Sequence, residues 1–340
     1  MRDGILIWGA GAIGGTLGAY LVRNGHDVTF VDVVPEHVAA IRDNGLEIEG
    51  PIDTFTVQAR AYLPDGLEGT WRRVFLAVKS QHTAEAIRAI KPHLADDGYV
   101  VSLQNGLCEL TIQEHVGRSR TIGAFINYGS DWLEPGRILY SNPGAFVIGE
   151  LDGAISPRLR ELYDLARVFE PNAIMTEDIW AYLWGKLAYA SFLFAQALGQ
   201  ASIADCLARP ELLPVWRSLG AETLRVAQAE GVEVRGFNGF DPKAFMPGAS
   251  EQAARASIDA MVAFNRPNPK SHSGIWRDLA IRKRRTEVDA QIAPIAEIGR
   301  KYGLKCPTID RLIELIHEVE DGKRPMRDDN LLALLNVQDA

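Results

Sequence analysis

The sequence has few cysteines, no long apolar run and no leader-like segment. Its three cysteines, Cys108, Cys206 and Cys306, lie roughly a hundred residues apart, which excludes a metal-ligand spacing and is typical of structural thiols in a reducing compartment. No stretch reaches the about 18 uninterrupted apolar residues of a membrane span. Met1 is followed almost at once by an apolar, strand-like segment, which leaves no room for a signal peptide. These absences predict a cytoplasmic protein without a metal site or a membrane partner.

An excess of positive charge is also absent. Lysine and arginine number 36 against 44 aspartates and glutamates, for a net charge of −8. Binding to nucleic acid depends on clustered lysines and arginines, so the balance predicts no nucleic-acid partner. A chain of 340 residues is too long for one ordinary core, and its 47% hydrophobic and 24% charged residues are typical of globular proteins. We therefore expect two folded domains.

The first half of the chain alternates short apolar runs with amphipathic segments. Continuous apolar strands between helices indicate a parallel sheet that helices cover on both faces. Arg137–Tyr140 and Ala145–Ile148, on either side of Ser-Asn-Pro-Gly, predict an antiparallel hairpin at the sheet edge. Helices are predicted at Ile13–Val22 and around Ala84, Ile87 and Ile90. The predicted strands are Gly4–Trp8, Asp27–Asp32, Arg73–Val78, Tyr99–Leu103 and Thr121–Asn127.

The second half has helical periodicity almost throughout. The stretch 231–248 is rich in glycine, proline and phenylalanine and predicts a loop or lid. We place a dinucleotide-binding α/β domain at 1–177, an all-helical domain at 178–325 and a C-terminal tail at 326–340. The predicted helices are Asp178–Leu198, Glu211–Glu230, Gln252–Phe264, Trp276–Tyr302 and Thr308–Glu320.

The dinucleotide assignment depends on a glycine motif between the first strand and the first helix. Gly9-Ala10-Gly11-Ala12-Ile13-Gly14 matches G-x-G-x-x-G, in which the first glycine permits a tight turn and the second lets the backbone approach a pyrophosphate. The third lets helix and strand pack closely, and the amides that open the helix bind phosphates. The motif predicts a Rossmann-type doubly wound, mostly parallel sheet that binds a nicotinamide dinucleotide; the alternative is a glycine-rich turn in a non-binding α/β domain.

Three further residues are candidates for the cofactor site. Asp32, at the end of the second strand, can bind the ribose hydroxyls of NAD and repel the 2′-phosphate of NADP, and no arginine follows directly. NAD is therefore favoured, the alternative being that Asp32 only caps the next turn. Lys79 and Asn105 follow two other strands, where open α/β sheets bind ligands. Taken singly, Lys79 can be an ordinary exposed lysine, and Asn105-Gly106 a plain turn.

Candidate catalytic residues lie in the helical half. Lys186 is a lone lysine in the apolar run WGKLAYA, and beside a nicotinamide it could exchange a proton with a substrate oxygen. The alternative is a lysine whose stem covers apolar surface while its charge reaches water. Glu287 follows the basic run Arg282–Arg285 in RRTEVDA, where it could instead be a helical i, i+4 partner of Lys283.

Five segments in order make the chain resemble the ketopantoate reductases: GAGAIGG, AVKSQHT, SLQNGL, WGKLAYA and RRTEVDA. The resemblance covers roughly residues 4–320. It implies a Rossmann domain followed by a helical domain, reduction of a 2-oxo acid to a D-2-hydroxy acid in the cleft between them, and a homodimer. It also implies that Lys186 is the general acid, that Glu287 is the family's catalytic-site glutamate, and that Lys79 and Asn105 belong to the cofactor site.

The departures from the family concern the substrate. Asparagines that help bind ketopantoate, four and eight residues after the lysine, are Ala190 and Phe194 here, which cannot hydrogen-bond a substrate. The family's basic residue for the NADP 2′-phosphate is replaced around Asp32. A serine of the late helix is Gly274, with Ser273 alongside, and the segment from 231 to 272 is longer than usual. The candidate substrate contacts are Asn105, His272 and Ser273, although His272 can equally be a surface loop residue.

The sequence thus predicts an NAD-linked dehydrogenase that acts on a small 2-hydroxy or 2-oxo acid other than pantoate. Three alternatives stay open. They are a 2-dehydropantoate 2-reductase that uses NADPH, an opine-type dehydrogenase, and a regulator that binds NAD(H) without catalysis.

Overall fold

The structure is a computed structural model that describes residues 2–268, 270–335 and 337. The chain separates into two compact units, Met1–Ile179 and Trp180–Ala340. The functional limits predicted at 177 and 325 stay a prediction, since compactness alone does not define where a functional domain ends.

The described residues of the first unit form twelve strands and five complete α-helices. The helices are α1 (Ala12–Arg23), α2 (Pro35–Asn44), α3 (Thr83–Ile90), α4 (Cys108–Val116) and α5 (Pro157–Phe169). The strands are β1 (Arg2–Trp8), β2 (Val28–Val31), β3 (Leu46–Glu49), β4 (Phe55–Val57), β5 (Arg60–Tyr62), β6 (Trp71–Leu76), β7 (Leu94–Ser102), β8 (Thr121–Ile126), β9 (Gly129–Glu134), β10 (Arg137–Asn142), β11 (Phe146–Glu150) and β12 (Ile174–Met175).

The large sheet has the order β12-β11-β8-β7-β6-β1-β2-β5. All its neighbouring strands pair in parallel except β11 with β8. From β1 the chain winds outward to β2 on one side and then returns to β6 on the other, so the strand order reverses between β1 and β6. This confirms the predicted doubly wound, mostly parallel sheet, and the reversal is where such folds bind ligands, at the carboxyl ends of the strands.

The side chains of β1 alternate between two hydrophobic cores. Ile5 and Ile7 belong to the core beneath α1 and α5, whereas Leu6 and Trp8 belong to the core beneath α3 and α4. Both faces of the sheet are therefore covered, which explains why its strands are apolar at every position. Each fully buried leucine or isoleucine contributes about 1.5–3 kcal/mol to this packing.

The predicted hairpin of Arg137–Tyr140 with Ala145–Ile148 is wrong. β10 pairs with β9 and β3 in a second sheet of order β4-β3-β10-β9, whereas β11 pairs with β8 in the large sheet. The intervening Ser-Asn-Pro-Gly segment carries the chain between the sheets; a Cβ at Gly144 would overlap the carbonyl of Asn127. In this pairing Ile138 of β10 is buried against Gly15 of α1, a contact between distant positions that a local turn signal does not report.

The second unit is helical, as predicted, and no strand occurs among its described residues. Within those residues, none of the helices combines the length and the apolarity that a bilayer crossing requires. The helices are α6 (Ile179–Gln196), α7 (Ile203–Leu207), α8 (Leu213–Ala229), α9 (Glu251–Asn265), α10 (Gly274–Ala280), α11 (Val288–Gln291), α12 (Ala293–Lys301) and α13 (Pro307–Glu320).

The single helix predicted at Trp276–Tyr302 is wrong, because the segment forms α10, α11 and α12. The buried carboxylate of Asp278 binds Arg282 and Arg284, at 3.1 and 2.8 Å, and the Arg284 amide donates to the Asp278 carbonyl. This wraps the basic run around Asp278 and ends the helix. Pro294, in the first turn of α12, separates α11 from α12 because it lacks an amide hydrogen.

Part of the segment assigned to a C-terminal tail, residues 328–334, is folded against the helical unit. Asp328–Leu334 forms a 3₁₀ helix in which Asn330, Leu331 and Leu334 are buried. The carboxylate of Asp328 accepts from the amides of Gln200 and Ala201, at 2.6 and 3.0 Å. These hydrogen bonds hold the 3₁₀ helix against the chain that follows α6.

Candidate active site

Two glycines of the β1–α1 turn are required by packing alone. Gly9 has φ +99°, and a Cβ there would lie 2.8 Å from the backbone carbon of Ala77. A Cβ at Gly14 would overlap the carbonyl oxygen of Gly9. Gly11 differs, since a Cβ there would meet nothing within 4 Å. Packing within the protein therefore does not require a glycine at position 11. A side chain there would instead occupy the open space beside the turn.

The amides of the turn fall into two groups. The Gly9 amide donates to the Val31 carbonyl at 2.8 Å and the Ala10 amide to Asp32 Oδ2 at 2.9 Å, so these two are already satisfied. Helix α1 begins after Gly11 with no capping side chain, which leaves the amides from Gly11 to Gly14 at the positive end of the helix dipole. Amides at a helix start, with open space beside Gly11, fit the phosphates of a dinucleotide.

Asp32 is partly exposed and its carboxylate is fixed by two backbone amides. Oδ2 accepts from Ala10, and Oδ1 accepts from Val34 at 3.0 Å. The turn-capping role considered above is therefore present. It does not exclude ribose binding, because an ionised carboxylate has about four acceptor positions and only two are used.

Lys79 and Asn105 lie on neighbouring loops at the same sheet edge. Both side chains are exposed, and the loops follow β6 and β7, which pair in parallel. Gln104, which the sequence did not single out, joins the loops: its Nε2 donates to the Val78 carbonyl at 3.0 Å and to Thr83 Oγ1 at 2.8 Å. The first unit thus brings Gly9–Gly14, Asp32, Lys79 and Asn105 to one edge, while the roles of Lys79 and Asn105 stay predictions.

In the second unit, Lys186 lies on the partly exposed face of α6. It is half-buried, and Ala190, one turn further on, shares its face. The loop at 231–248 is packed onto this helix just before the lysine: the Arg235 amide donates to the Ala181 carbonyl at 3.0 Å, and a Cβ at Gly185 would overlap the Arg235 carbonyl. This loop therefore packs against α6 next to Lys186.

Phe194 continues the helical row of Lys186 and Ala190, and it is fully buried, at 0% exposure. The position at which the resemblance predicts a second substrate-binding asparagine therefore belongs to the apolar core. Along this row, the helix offers a substrate the methyl group of Ala190.

His272 and Ser273 both have local structural roles. Ser273 Oγ accepts from the Trp276 amide at 3.1 Å and so caps α10. His272 Nε2 donates to the Gln200 carbonyl at 3.0 Å, and its ring lies 4.1 Å from that of Trp276. These contacts tie the loop to the chain after α6. Substrate contacts of either residue, and of Asn105, stay predictions.

Glu287 is 8% exposed and immediately precedes α11. It does not lie within a helix, and Lys283 has φ +50°, so the alternative of a helical i, i+4 pair is wrong. The preceding Thr286 is held by Glu320, whose Oε1 accepts from the Thr286 amide and hydroxyl, both at 2.7 Å. A carboxylate 33 residues downstream, that of Glu320, therefore sets the backbone position of Glu287.

His317 completes this cluster. Its Nδ1 contacts Glu320 Oε2 at 2.8 Å and its Nε2 contacts Asp289 Oδ1 at 2.9 Å; Arg285 also contacts Glu320 and Asp321. Burial by itself lowers the pKa of His317, but the hydrogen bonds and negative charges of Glu320 and Asp289 outweigh it and raise that pKa above its ordinary value. The protonated ring donates to both carboxylates.

Comparisons with known proteins identify the family of the chain. Residues 5–153 match the family described as ketopantoate reductase PanE/ApbA, and residues 178–320 match its C-terminal domain. The chain is 27% identical to the 2-dehydropantoate 2-reductase of Aquifex aeolicus over 327 residues, which cover 93% of this chain and 96% of the relative.

Solved structures show the same fold. The ternary structure of D-mandelate dehydrogenase with NADH and anilino(oxo)acetate superposes with a TM-score of 0.81 at 21% identity, covering 94% of this chain and 98% of that one. A PanE/ApbA family ketopantoate reductase from Ralstonia eutropha JMP134 superposes with a TM-score of 0.78 at 25% identity, covering 94% and 99%.

We expect Gly11→Ala and Gly14→Ala to separate binding from folding. Gly11→Ala places a methyl group in the open space beside the turn, so it should raise the NADH Kd about tenfold or more while changing the free energy of unfolding by less than about 1 kcal/mol. Gly14→Ala should lower that free energy by about 1–3 kcal/mol, because its methyl group overlaps the Gly9 carbonyl. Fluorescence titration and urea unfolding measure the two effects. Unchanged NADH affinity in Gly11→Ala would contradict the phosphate site.

The His317 cluster predicts a pH-dependent stability. Since its pKa is raised in the folded state, the protonated ring stabilises the fold below the unfolded pKa of about 6.5, and this contribution is lost as pH rises through the folded pKa. The difference in unfolding free energy between the wild type and His317→Gln should therefore be larger at pH 6 than at pH 9, as measured by urea unfolding. His115→Gln, at a half-buried position of α4, serves as the control. If the difference in unfolding free energy does not depend on pH, the stabilising role of protonated His317 is contradicted.

Proposed function

Because the chain belongs to the ketopantoate reductase PanE/ApbA family, we propose that it interconverts a 2-oxo acid and a 2-hydroxy acid other than pantoate, with NAD as the preferred cofactor. It is a nicotinamide-dependent oxidoreductase of the class that acts on CH–OH groups. The observation that carries the finer proposal is the row on α6, where Lys186 is followed by the small apolar Ala190 and the buried Phe194.

This row bears on the substrate through hydrogen bonding. An apolar surface offers no hydrogen bond to a substrate hydroxyl, which disfavours the hydroxylated substrate by about 10²-fold at most. Ketopantoate carries a hydroxyl group on its side chain, and Ala190 and Phe194 offer that group no partner. An acid with an apolar substituent suits this surface better than ketopantoate or a polyol acid.

The preference for NAD is supported by Asp32. Two backbone amides hold its carboxylate at the end of β2, where a 2′-phosphate would meet its negative charge. The next residue is Val33, which is 72% exposed and brings no cation to offset that charge. NADP is therefore the less favoured cofactor.

Two residues of the helical unit are assigned to proton transfer. The nicotinamide, when bound, supplies or accepts the hydride. Lys186 donates a proton to the substrate oxygen as the carbonyl becomes a hydroxyl, and it accepts that proton in the oxidative direction. Glu287, held by the Thr286–Glu320 contacts, hydrogen-bonds the same oxygen or orients the ammonium group.

A second candidate is 2-dehydropantoate 2-reductase with NADPH, which the name of the Aquifex relative favours. We also propose a cytoplasmic homodimer. The reducing compartment is supported by three buried cysteine thiols, and the homodimer by the resemblance to the family.

A substrate screen with both cofactors separates the two candidates. We expect kcat/KM for 2-oxo acids with apolar side chains to exceed that for ketopantoate by about tenfold or more, and NADH to be preferred to NADPH. Ala190→Asn places an amide beside Lys186 and should reduce the difference in kcat/KM between the apolar 2-oxo acids and ketopantoate. Ala190→Ser is its smaller polar control. The assay follows absorbance of the reduced cofactor. Fastest turnover of ketopantoate with NADPH would select the second candidate.

Substitution of Lys186 tests the proton transfer. Lys186→Ala should lower kcat by about 10²–10⁴-fold, because the substrate oxygen loses its proton donor. Lys186→Arg should also be slow, since a guanidinium keeps its proton at all working pH values. NADH affinity, measured by fluorescence titration, should stay unchanged in both variants. Lys301→Ala, on α12, is the control, and substantial turnover by Lys186→Ala would remove the assigned role.

A further inference from the structure

A buried histidine contacts the glycine-rich turn from behind. His37, in the first turn of α2, is 1% exposed. Its Nε2 lies 2.8 Å from the carbonyl oxygen of Ala10, and its Nδ1 lies 2.9 Å from the amide nitrogen of Gly136. A longer contact of 3.4 Å joins Nδ1 to the indole nitrogen of Trp132. No sequence motif singles out this residue.

These partners determine which ring nitrogen carries the proton. The Gly136 amide can only donate, so Nδ1 must be its acceptor. The Ala10 carbonyl can only accept, so Nε2 must hold the proton and donate it. His37 is therefore a neutral ring that bridges the β9–β10 turn and the glycine-rich turn, with one nitrogen for each.

The bridge fixes the direction of the next amide. In a trans peptide the carbonyl of Ala10 and the amide of Gly11 point in opposite directions, and the chain contains no cis peptide bond among its described residues. Because His37 holds the Ala10 carbonyl, the Gly11 amide points away from it. In the described part of the chain this amide has no hydrogen-bond acceptor, and the space around Gly11 is open.

Without the histidine this peptide could rotate. Glycine tolerates both signs of φ, so a peptide unit that precedes a glycine can flip at little cost. A flipped unit would turn the Ala10 carbonyl oxygen, with its partial negative charge, toward the phosphates. The Ala10 amide is tied to Asp32, but that hydrogen bond belongs to the preceding peptide unit and does not prevent the flip.

We infer that His37 is a positioning residue for the cofactor site: by holding the Ala10 carbonyl, it keeps the Gly11 amide directed at the pyrophosphate of the dinucleotide. The inference rests on the nicotinamide site of the proposed function and is independent of the substrate and of Lys186.

Two substitutions by amide side chains separate the two hydrogen bonds that the His37 ring makes. His37→Gln places an N–H near the position of Nε2 and can still donate to the Ala10 carbonyl. His37→Asn places an oxygen near the position of Nδ1, where it can accept from Gly136, but it is too short to reach Ala10. Each variant loses one buried hydrogen bond, so both should lower the Tm of the cofactor-free enzyme by similar amounts.

Cofactor affinity should distinguish them. We expect His37→Asn to raise the Kd of NADH, and equally that of ADP-ribose, about tenfold or more, and His37→Gln to raise it about threefold or less. At saturating NADH, kcat and the KM of the 2-oxo acid should stay within about twofold of wild type. Trp132→Phe, which removes the weaker contact to Nδ1 and leaves Ala10 untouched, is the matched control and should bind NADH normally.

Equal losses of affinity in the Asn and Gln variants, or wild-type affinity in His37→Asn, would overturn the inference. If His37→Asn fails to fold, His37→Gln decides: near-normal affinity supports the inference, and a loss of tenfold or more contradicts it. Failure of the wild type to bind NADH and ADP-ribose would instead contradict the cofactor site of the proposed function. Binding of both without turnover of any 2-oxo acid would contradict only the substrate assignment.

Discussion

The close approach of the first helix to the sheet edge is the constraint on which the cofactor site depends. Side chains are absent at Gly9 and Gly14, so the turn packs against the end of β6 and the amino end of α1 sits over the strand ends. The amides from Gly11 to Gly14 then lie at the positive end of the helix dipole, with open space beside Gly11. Any side chain at the two packed glycines would push the helix away and remove this arrangement.

The same edge is stabilised from several directions by polar side chains that bind backbone groups. Asp32 holds the Ala10 amide, His37 holds the Ala10 carbonyl, and Gln104 joins the two loops that carry Lys79 and Asn105. A similar logic operates in the helical unit, where one buried carboxylate anchors the backbone beside Glu287. In both units, polar side chains bind backbone groups next to the residues proposed for the site and so fix their position.

The errors of the sequence-based predictions have a common cause. The predicted hairpin failed because β10 pairs where Ile138 can be buried against α1, and the predicted long helix failed because Asp278 gathers Arg282 and Arg284 around itself. The carboxylate of Asp328, within the segment assigned to a C-terminal tail, caps the amides of Gln200 and Ala201 and so joins distant parts of the chain. Periodicity and turn residues report neighbours along the chain, whereas these choices are made by partners far apart in it.

What the sequence alone determined is the local chemistry: the glycine motif between a strand and a helix, the acidic residue at the end of the second strand, the parallel sheet and the helical second half. These follow from backbone geometry and from periodic burial, which are properties of short segments. Only the tertiary structure decided that Gly11 is the glycine that packing does not require, that Phe194 is in the core, and that His37 and Glu320 set the backbone beside the candidate site. Each of these depends on atoms that folding brings together from distant positions, and no local pattern encodes such a contact.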